Sequence, residues 1–347
     1  MLSTLNPYAG LYWDMLNKAQ DAAASDVHVQ PESCGVDIRF RVHGELSRWM
    51  WIEAGHKTAF LQQAKQLSNC TLAVSGRAQD ARVSLPERKL DIRVNLIPSL
   101  FGEKLVLRLL DQRKSFSLDS LNLGPRSLEG VYSALRQDSG VALFSGPTGS
   151  GKTTLLYSAL SHLDRAVFNI ITIEDPVEYT LPGITQVQVN QKLTMADALR
   201  AVLRQDPDVI LLGEIRDSET ASLCFQAAST GHLVLSTVHA NSATEVRTRL
   251  ATLGIPQNQI DSCLKFSSAQ RLLGRLCDSC KIHVSDTIFH RNIEGCTMCR
   301  LGLRGRVPVF EFELNGAKPD SALSLNSAIS ALALKGEIDA REVPHEI

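Results

Sequence analysis

The segment that most constrains the fold is the motif Gly-x-x-x-x-Gly-Lys-Thr at residues 146–153, which lies between an apolar run and a helical one. Residues 141–145 predict a buried strand and residues 154–160 predict a helix, which is the context this motif needs to bind phosphate. Its glycines let successive backbone N–H groups point at phosphate oxygens, and the helix N-terminus adds a favourable dipole. The nucleotide-binding residues predicted in this way are Gly146, Pro147, Thr148, Gly149, Ser150, Gly151, Lys152, Thr153 and Thr154.

The composition of the 347-residue chain, with 44% hydrophobic and 21% charged residues, is typical of a soluble globular protein with two domains. The formal net charge of −1 argues against a chain built as a whole to bind nucleic acid or an anionic membrane, although it leaves local patches open. No apolar run approaches the length of about 18 residues that a membrane span needs, and the N-terminus has no signal-peptide pattern. We therefore expect a cytoplasmic protein.

The chain is predicted to form two α/β domains joined by a linker. Residues 1–110 predict a mixed α/β domain with two β-hairpins, and residues 111–123 are polar and Ser-rich, as expected of an interdomain linker. Residues 124–347 alternate strand and helix. This alternation is typical of a mostly parallel sheet that helices cover on both faces.

The second predicted hairpin, formed by residues 90–96 and 103–109, carries one arginine on the polar face of each strand. If the register is symmetric about the turn, Arg93 lies directly opposite Arg108, and such a like-charge pair is destabilising unless an anion lies close by. Two interpretations remain open. Both side chains extend into water or pair with Asp91 and neighbouring acids, or the pair is offered to a phosphate.

Two apolar strands of the second domain run into acidic residues, Glu174 and Glu214, at the sheet edge where parallel sheets bind ligands. Gly213 stands where many P-loop enzymes have an aspartate that holds Mg²⁺. We therefore expect Thr153 to hold Mg²⁺, with Glu174 and Glu214 as outer-sphere acids. Lys152 is expected to reach the β- and γ-phosphates, and Glu214 is expected to polarise the attacking water.

Two histidines, His232 and His239, flank one apolar strand. Their odd separation places them on opposite faces if both lie in the strand, so they do not form one metal pair without a bend. Each is predicted to sense phosphate or neighbouring acids by hydrogen bonding. A purely structural role is the open alternative.

Four cysteines, Cys277, Cys280, Cys296 and Cys299, form two Cys-x-x-Cys pairs with 15 residues between them. This spacing predicts a closed, structural zinc site in a small module at about residues 275–302. The flanks are basic through Lys265, Arg271, Arg275, Lys281, Arg291, Arg300, Arg304 and Arg306. Because aromatic residues are not interleaved, this basic patch is equally consistent with a nucleic acid and with an acidic protein surface.

Several long motifs occur in a characteristic order along nearly the whole chain: residues 24–31, 39–44, 146–153, 173–178, 203–208, 213–217 and 230–239, the cysteine quartet, and residues 305–307. In these motifs the chain resembles the secretion ATPases of bacterial type II secretion and type IV pilus assembly. The glycine at position 213 is the family's own departure from the usual strand aspartate.

The resemblance implies a hexameric ring in which a PAS-like N-terminal domain and a RecA-like C-terminal domain, which carries the zinc module, open and close around ATP. It implies that Arg93 and Arg108 contact the nucleotide phosphates. It also implies an inner-membrane platform protein as partner, peripheral association with the inner face of the cytoplasmic membrane through partners, and no direct contact with nucleic acid.

The function expected from these features is that of an ATPase that powers assembly of a type IV pilus, a type II secretion pseudopilus or a DNA-uptake apparatus. Two alternatives stay open. The first is a RecA-like ring ATPase that acts on nucleic acid, which the basic flanks suggest. The second is a pilus-retraction motor, although retraction motors generally lack the tetracysteine.

Overall fold

The computed structural model of the chain describes residues 7–113, 115–299, 301–316 and 324–343. The chain divides into two compact units, Met1–Ser115 and Phe116–Ile347. Within the described ranges, no helix has both the length and the apolar character that crossing a membrane requires.

The first unit is a six-stranded antiparallel sheet with two helices. Its elements are α1 (Pro7–Asp21), β1 (Asp26–Glu32), β2 (Gly35–Val42), β3 (Glu45–Glu53), α2 (Ala54–Leu67), β4 (Gln79–Leu85), β5 (Leu90–Ser99) and β6 (Gly102–Asp111). The strand order is β3-β2-β1-β6-β5-β4. The two predicted hairpins, β1–β2 and β5–β6, are confirmed.

The core of the first unit lies on one face of this sheet because the strands alternate apolar and polar residues. In β5, Leu90, Ile92 and Val94 are buried while the residues between them are not. Tyr12 and Leu16, one turn apart on α1, are fully buried in the same apolar cluster. The polar residues of the strands therefore occupy the opposite face.

The second unit contains a seven-stranded sheet flanked by helices. Its elements are α3 (Pro125–Leu135), β7 (Gly140–Ser145), α4 (Lys152–His162), β8 (Ile170–Glu174), β9 (Thr185–Gln188), α5 (Met195–Val202), β10 (Val209–Leu212), α6 (Ser218–Ser229), β11 (Leu233–Val238), α7 (Glu245–Thr252), α8 (Gln257–Cys263), β12 (Leu264–Leu276), β13 (Ile282–His283), β14 (Phe289–His290), β15 (Leu303–Leu314) and α9 (Leu325–Leu334). The strand order is β15-β12-β7-β11-β10-β8-β9. All neighbours are parallel except β15, which pairs antiparallel with β12.

The central strands of this sheet are buried along their whole length, as β7 and β11 illustrate. Strands covered on both faces carry continuous apolar runs instead of alternating ones, and parallel strands need crossover helices between them. The predicted α/β class and the parallel sheet are confirmed. This topology brings the carboxyl ends of β7, β11, β10 and β8 to one edge, and that edge carries the site.

The four cysteines lie beside the far end of the β12–β15 pair, next to the two-stranded sheet β13–β14. A small apolar cluster of Leu276, Phe289 and Leu303 supports this module. The backbone N–H of Cys277 donates to the carbonyl of Gly302 at 2.9 Å, which joins the two ends of the segment. Arg300, one of the predicted basic flanking residues, lies outside the described residues.

Candidate nucleotide-binding site

The loop between β7 and α4 turns back on itself through glycines in the left-handed region, with φ of +145° at Gly146, +80° at Gly149 and +93° at Gly151. Such angles strain any residue that has a Cβ atom. At Gly146 a Cβ would also lie 2.5 Å from the backbone oxygen of Gln270. Glycine at position 146 is thus required both by conformation and by the close approach of β12.

The ammonium group of Lys152 lies over this loop and donates hydrogen bonds to the carbonyls of Gly146 at 2.7 Å and Pro147 at 3.0 Å. Burial lowers the pKa of Lys152, with the Glu214 carboxylate opposing the shift and Arg271 adding to it. An ammonium group held by carbonyl oxygens at this point is available to a more strongly accepting anion, such as a phosphate.

Other polar atoms of the loop also fit a phosphate ligand. The hydroxyl oxygen of Ser150 is buried and has no hydrogen-bond partner among the described residues. Gln270 donates from its side-chain amide to the carbonyl of Ser150 at 2.7 Å and so fixes the loop backbone. Thr153 is half-buried and Thr154 is exposed at the start of α4.

Glu214 and His239 meet at the same sheet edge, where β10 and β11 end. The Nε2 atom of His239 lies 3.5 Å from a carboxylate oxygen of Glu214. Arg216 forms an ion pair with the same carboxylate, and its guanidinium also lies 3.7 Å from Asp175. Glu214 lines a cavity of about 460 Å³ together with Asp175 and Arg216. The structure therefore places an acid, a histidine and open volume at the edge that carries the glycine loop.

Glu174 lies at the same edge but is buried, and three side chains donate hydrogen bonds to its carboxylate. They are the hydroxyl of Tyr157, the hydroxyl of Thr172 at 2.6 Å and the side-chain amide of Gln186 at 3.3 Å. Burial raises the pKa of Glu174, and these hydrogen bonds oppose the rise. The carboxylate is thus held in place by α4, β8 and β9.

Gly213 directly follows β10 and is hydrogen-bonded to the end of β8. Its N–H donates to the carbonyl of Ile173 at 2.8 Å, and a Cβ at position 213 would lie 3.4 Å from that oxygen and 3.5 Å from the Cα of Glu174. A longer side chain at this position would point toward the backbone that carries Glu174. These distances are ordinary van der Waals contacts, so the backbone geometry does not by itself require glycine in place of an aspartate.

His232 is not brought together with these residues. It precedes β11, whereas His239 follows it, so the whole strand separates His232 from the glycine loop. Its Nδ1 atom lies 2.9 Å from the carbonyl of Ala227, and its side chain lines a different cavity of about 640 Å³. This position favours the structural alternative for His232 over direct contact with phosphates bound at this loop.

In the first unit, the register places Arg93 directly opposite Arg108, as the symmetric hairpin predicts. The same row continues to Arg82 on β4, to Asp26 on β1 and to Arg41 on β2. Asp26 accepts a hydrogen bond from Arg108 at 3.1 Å and lies 3.9 Å from Arg41. The row, here called the arginine stripe, therefore contains four arginines and a single acid. Arg82 also pairs at 3.1 Å with Asp91, which lies outside the row.

The four cysteine sulfur atoms all lie within 4.8 Å of one another. Among the described residues, these four side chains form a cluster that could hold a metal ion. Distances of 3.9 Å for Cys277–Cys296 and 3.5 Å for Cys280–Cys299 suit a tetrahedral thiolate set. Two of the basic residues around it are paired with acids. Arg275 lies 3.7 Å from Glu337, and Lys281 lies 3.0 Å from Asp278.

Sequence patterns did not reveal three residues that the structure adds to these sites: Tyr157, Asp26 and Gln270. Tyr157 follows the glycine loop on a buried helix, where an aromatic residue is normally explained by packing. Asp26 and Gln270 lie on strands distant in sequence from the residues they contact. Only the pairing of the strands brings them to the sites.

The glycine loop at the carboxyl edge of a parallel sheet, followed by a helix and faced by acids, defines a P-loop protein of α/β fold. The chain belongs to the family described as Type II/IV secretion system protein, whose model matches residues 3–342.

Curated relatives and solved structures agree with this membership. The chain is 41% identical over 303 residues to the type II secretion system protein HxcR of Pseudomonas aeruginosa, which covers 86% of this chain and 64% of that protein. It is 40% identical over 313 residues to the type IV pilus assembly ATPase PilB of Acinetobacter baylyi, covering 83% of this chain and 54% of PilB. The chain thus spans less than two thirds of the length of these relatives.

The fold is shared with solved structures at lower identity. The ATPase DotB of Legionella pneumophila matches with a TM-score of 0.74 and 21% identity, covering 98% of this chain and 95% of DotB. The pilus retraction motor PilT with bound ADP matches with a TM-score of 0.68 and 24% identity, covering 95% of each chain. At these identities the likeness establishes the fold alone.

Proposed function

We propose that the chain binds and hydrolyses ATP with Mg²⁺ and uses the energy to power assembly of a type IV pilus, a type II secretion pseudopilus or a DNA-uptake apparatus. The observation that carries this proposal is the convergence of the glycine loop, Glu214 and His239 at one sheet edge in a chain of the Type II/IV secretion system protein family.

Each residue at this edge has a proposed role. Lys152 binds the β- and γ-phosphates, and Thr153 holds Mg²⁺. Glu214 polarises the attacking water, and His239 supports the phosphates from beside it. Glu174 acts as the outer-sphere acid of the metal. When bound, Mg²⁺ would neutralise charge that develops on the transferring phosphate.

The arginine stripe of the first unit supports a role in phosphate binding. Arg93 and Arg108 face each other, and an anion close to them removes the repulsion between two like charges. An arginine that contacts the transferring phosphate is worth roughly 10³–10⁵ in rate. We propose this role for both arginines.

The assembly and its partners follow from the family relationship. We propose a PAS-like first domain, a RecA-like second domain and a homo-hexameric ring. The ring would act in the cytoplasm, at the inner face of the cytoplasmic membrane, and bind an inner-membrane platform protein without direct contact with nucleic acid. Pairing of Arg275 and Lys281 with acids lowers the net positive charge of the surface that suggested a nucleic-acid partner.

The cysteine quartet is proposed to hold a structural Zn²⁺. Four sulfur donors within 4.8 Å fit the ion, and four protein ligands leave no open position for chemistry. The zinc would tie the end of β12 to the start of β15 and stabilise the module.

Substitution of Glu214 by Gln tests the proposal because it keeps the size of the side chain and removes the charge. We expect ATP hydrolysis by the purified chain to fall by roughly 10²-fold or more, with nucleotide binding retained. Glu219→Gln is the matched control, since Glu219 is an exposed acid on α6 that pairs with Arg200. Unchanged turnover in Glu214→Gln contradicts the assignment.

A second pair of variants tests the phosphate loop. Lys152→Ala should abolish nucleotide binding, whereas Lys335→Ala, at an exposed position after α9, should not.

A third experiment separates the secretion motor from a nucleic-acid enzyme. Strong stimulation of the wild-type ATPase by DNA would favour the nucleic-acid alternative. Stimulation by acidic lipid or by a platform protein would favour the secretion motor.

A further inference from the structure

Tyr157 is a buried polar residue that lies beside the proposed site and is not among the residues proposed to bind nucleotide, metal or water. Its side chain is 1% exposed, and its hydroxyl donates to the Glu174 carboxylate. Burial raises the pKa of Tyr157, and the neighbouring carboxylate raises it further, so this hydroxyl remains a donor at any physiological pH. Breaking a hydrogen bond between a buried donor and a buried carboxylate costs free energy, because both groups then lose their partner.

The position of Tyr157 on α4 links it to the glycine loop. Residues four apart on a helix lie above one another on the same face, so Tyr157 shares a face with Thr153, the proposed Mg²⁺ ligand. The helix itself begins at Lys152, where the loop ends. The hydroxyl of Tyr157 therefore ties Glu174 to the helix that carries Lys152 and Thr153.

The surroundings of Tyr157 hold its ring in a fixed orientation. The ring of Phe116 packs edge-on against it with centroids 5.3 Å apart, and the ring of Tyr179 does so at 6.2 Å. The other donors to Glu174, Thr172 and Gln186, come from strands β8 and β9 and not from the helix. Among the described side chains that donate to Glu174, Tyr157 alone comes from α4, the helix that follows the glycine loop.

We propose that Tyr157 is a positioning residue that fixes the Glu174 carboxylate relative to Thr153 and thereby sets how strongly Mg²⁺ increases the affinity for nucleotide. The proposal rests on the proposed function, since it deepens the role given there to Glu174. It differs from a packing role because a packing role predicts a loss of stability without a change in the Mg²⁺ response.

A double-mutant cycle with Tyr157→Phe and Glu174→Gln tests this proposal. The affinity of the full chain for a fluorescent ADP analogue is measured with Mg²⁺ and with EDTA, and the ratio of the two affinities is the Mg²⁺ response. We expect Tyr157→Phe to lower this ratio at least five-fold, with the affinity in EDTA changed less than two-fold. In the Glu174→Gln background, Tyr157→Phe should change the ratio less than two-fold, because Tyr157 acts on Mg²⁺ only through the charge of the Glu174 carboxylate, which glutamine lacks.

Tyr132→Phe is the matched control, since it removes a tyrosine hydroxyl from α3 in the same unit, at a residue that lines the cavity beside His232. A ratio in Tyr157→Phe that equals that of Tyr132→Phe would overturn the proposal. So would an equal effect of Tyr157→Phe with and without Glu174. If Tyr157→Phe does not fold, Glu174→Gln still keeps the proposal refutable, because a wild-type Mg²⁺ response in that variant overturns it.

The proposed function fails in a distinguishable way. Nucleotide binding that survives Lys152→Ala, or a wild-type chain that binds no nucleotide, would overturn the proposed function and this inference with it. Binding that depends on Lys152, combined with independent effects of Tyr157 and Glu174, would overturn the inference alone.

Discussion

Replacing Asp26 by Asn removes the one acid from the row of four arginines on the first unit. Asp26 is 8% exposed and accepts hydrogen bonds from Arg108 at 3.1 Å and from the hydroxyl of Ser25 at 2.8 Å. Arg41 lies 3.9 Å away on the other side. In Asp26→Asn, Arg108 keeps Arg93 as its opposite neighbour but loses the negative charge that offsets it.

The size of the effect follows from two contributions. A hydrogen bond between charged partners is worth about 1.5–3 kcal/mol when shielded, but the Arg108 side chain is 55% exposed, so solvent screening reduces that figure. Repulsion between two directly opposed arginines adds about 0.2–1 kcal/mol. We therefore expect Asp26→Asn to lower the free energy of unfolding of the first unit by about 1–2 kcal/mol at low salt.

Intrinsic fluorescence measures this quantity selectively because all three tryptophans, Trp13, Trp49 and Trp51, lie in the first unit. Urea unfolding is followed at low salt and at about 1 M salt, where the Debye length falls to about 3 Å. The destabilisation should shrink at high salt, since salt weakens the attraction in the wild type and the repulsion in the variant.

The control is Asp80→Asn on β4, because Asp80 is an exposed acid that accepts from Asn95 at 2.9 Å outside the row. It should change stability by less than about 0.5 kcal/mol. The reasoning is refuted if Asp26→Asn is as stable as the control at low salt, or if its loss of stability is the same at both salt concentrations. Phosphate should stabilise Asp26→Asn more than it stabilises the wild type, if the stripe accepts phosphates.

Three further outcomes are expected. Cys280→Ser should cost the chain its bound zinc, measured by metal analysis of the purified protein. Asp339→Asn should destabilise the second unit by about 1–2 kcal/mol near neutral pH. Burial alone would raise the pKa of Asp339, but hydrogen bonds from Arg341 and other donors hold it well below its usual range. The ionised Asp339 therefore stabilises the folded second unit fully above about pH 3.9, and this stabilisation is lost progressively as the pH falls below that value. Urea unfolding at neutral and at acid pH measures the loss. Gly146→Ala should abolish nucleotide binding in the fluorescent-analogue assay, because the new Cβ would lie 2.5 Å from the Gln270 carbonyl in a conformation with φ of +145°.

The parts of the site that the sequence predicts are those fixed by neighbouring residues. The phosphate loop is one, since the conformation of Gly146 and Gly151 and the position of Lys152 follow from a short local motif. The opposition of Arg93 and Arg108 is another, because a short turn determines hairpin register. In both cases residues that are close in the sequence determine the geometry.

The parts that the sequence does not predict depend on packing between distant segments. Tyr157 meets Glu174 only because α4 lies against the end of β8, and no spacing in the chain encodes that contact. Asp26 joins the arginine row through the pairing of β1 with β6, across most of the first unit. His232 shows the opposite case. It is close to His239 in sequence, but the two histidines lie at opposite ends of the extended strand β11.

The two acids of the proposed site differ in how firmly they are held, and this difference divides their roles. Glu214 is bound by Arg216 and approached by His239, whose side chains are 63% and 64% exposed, so its contacts exchange readily with water and ligands. Glu174 is bound by buried or half-buried donors from three elements. A base that activates water must reach the attacking molecule and accept its proton, which suits the more exposed Glu214. A group that sets the position of a metal must not move relative to the metal's other ligand, which suits Glu174, because Tyr157 links it to the helix that carries Thr153.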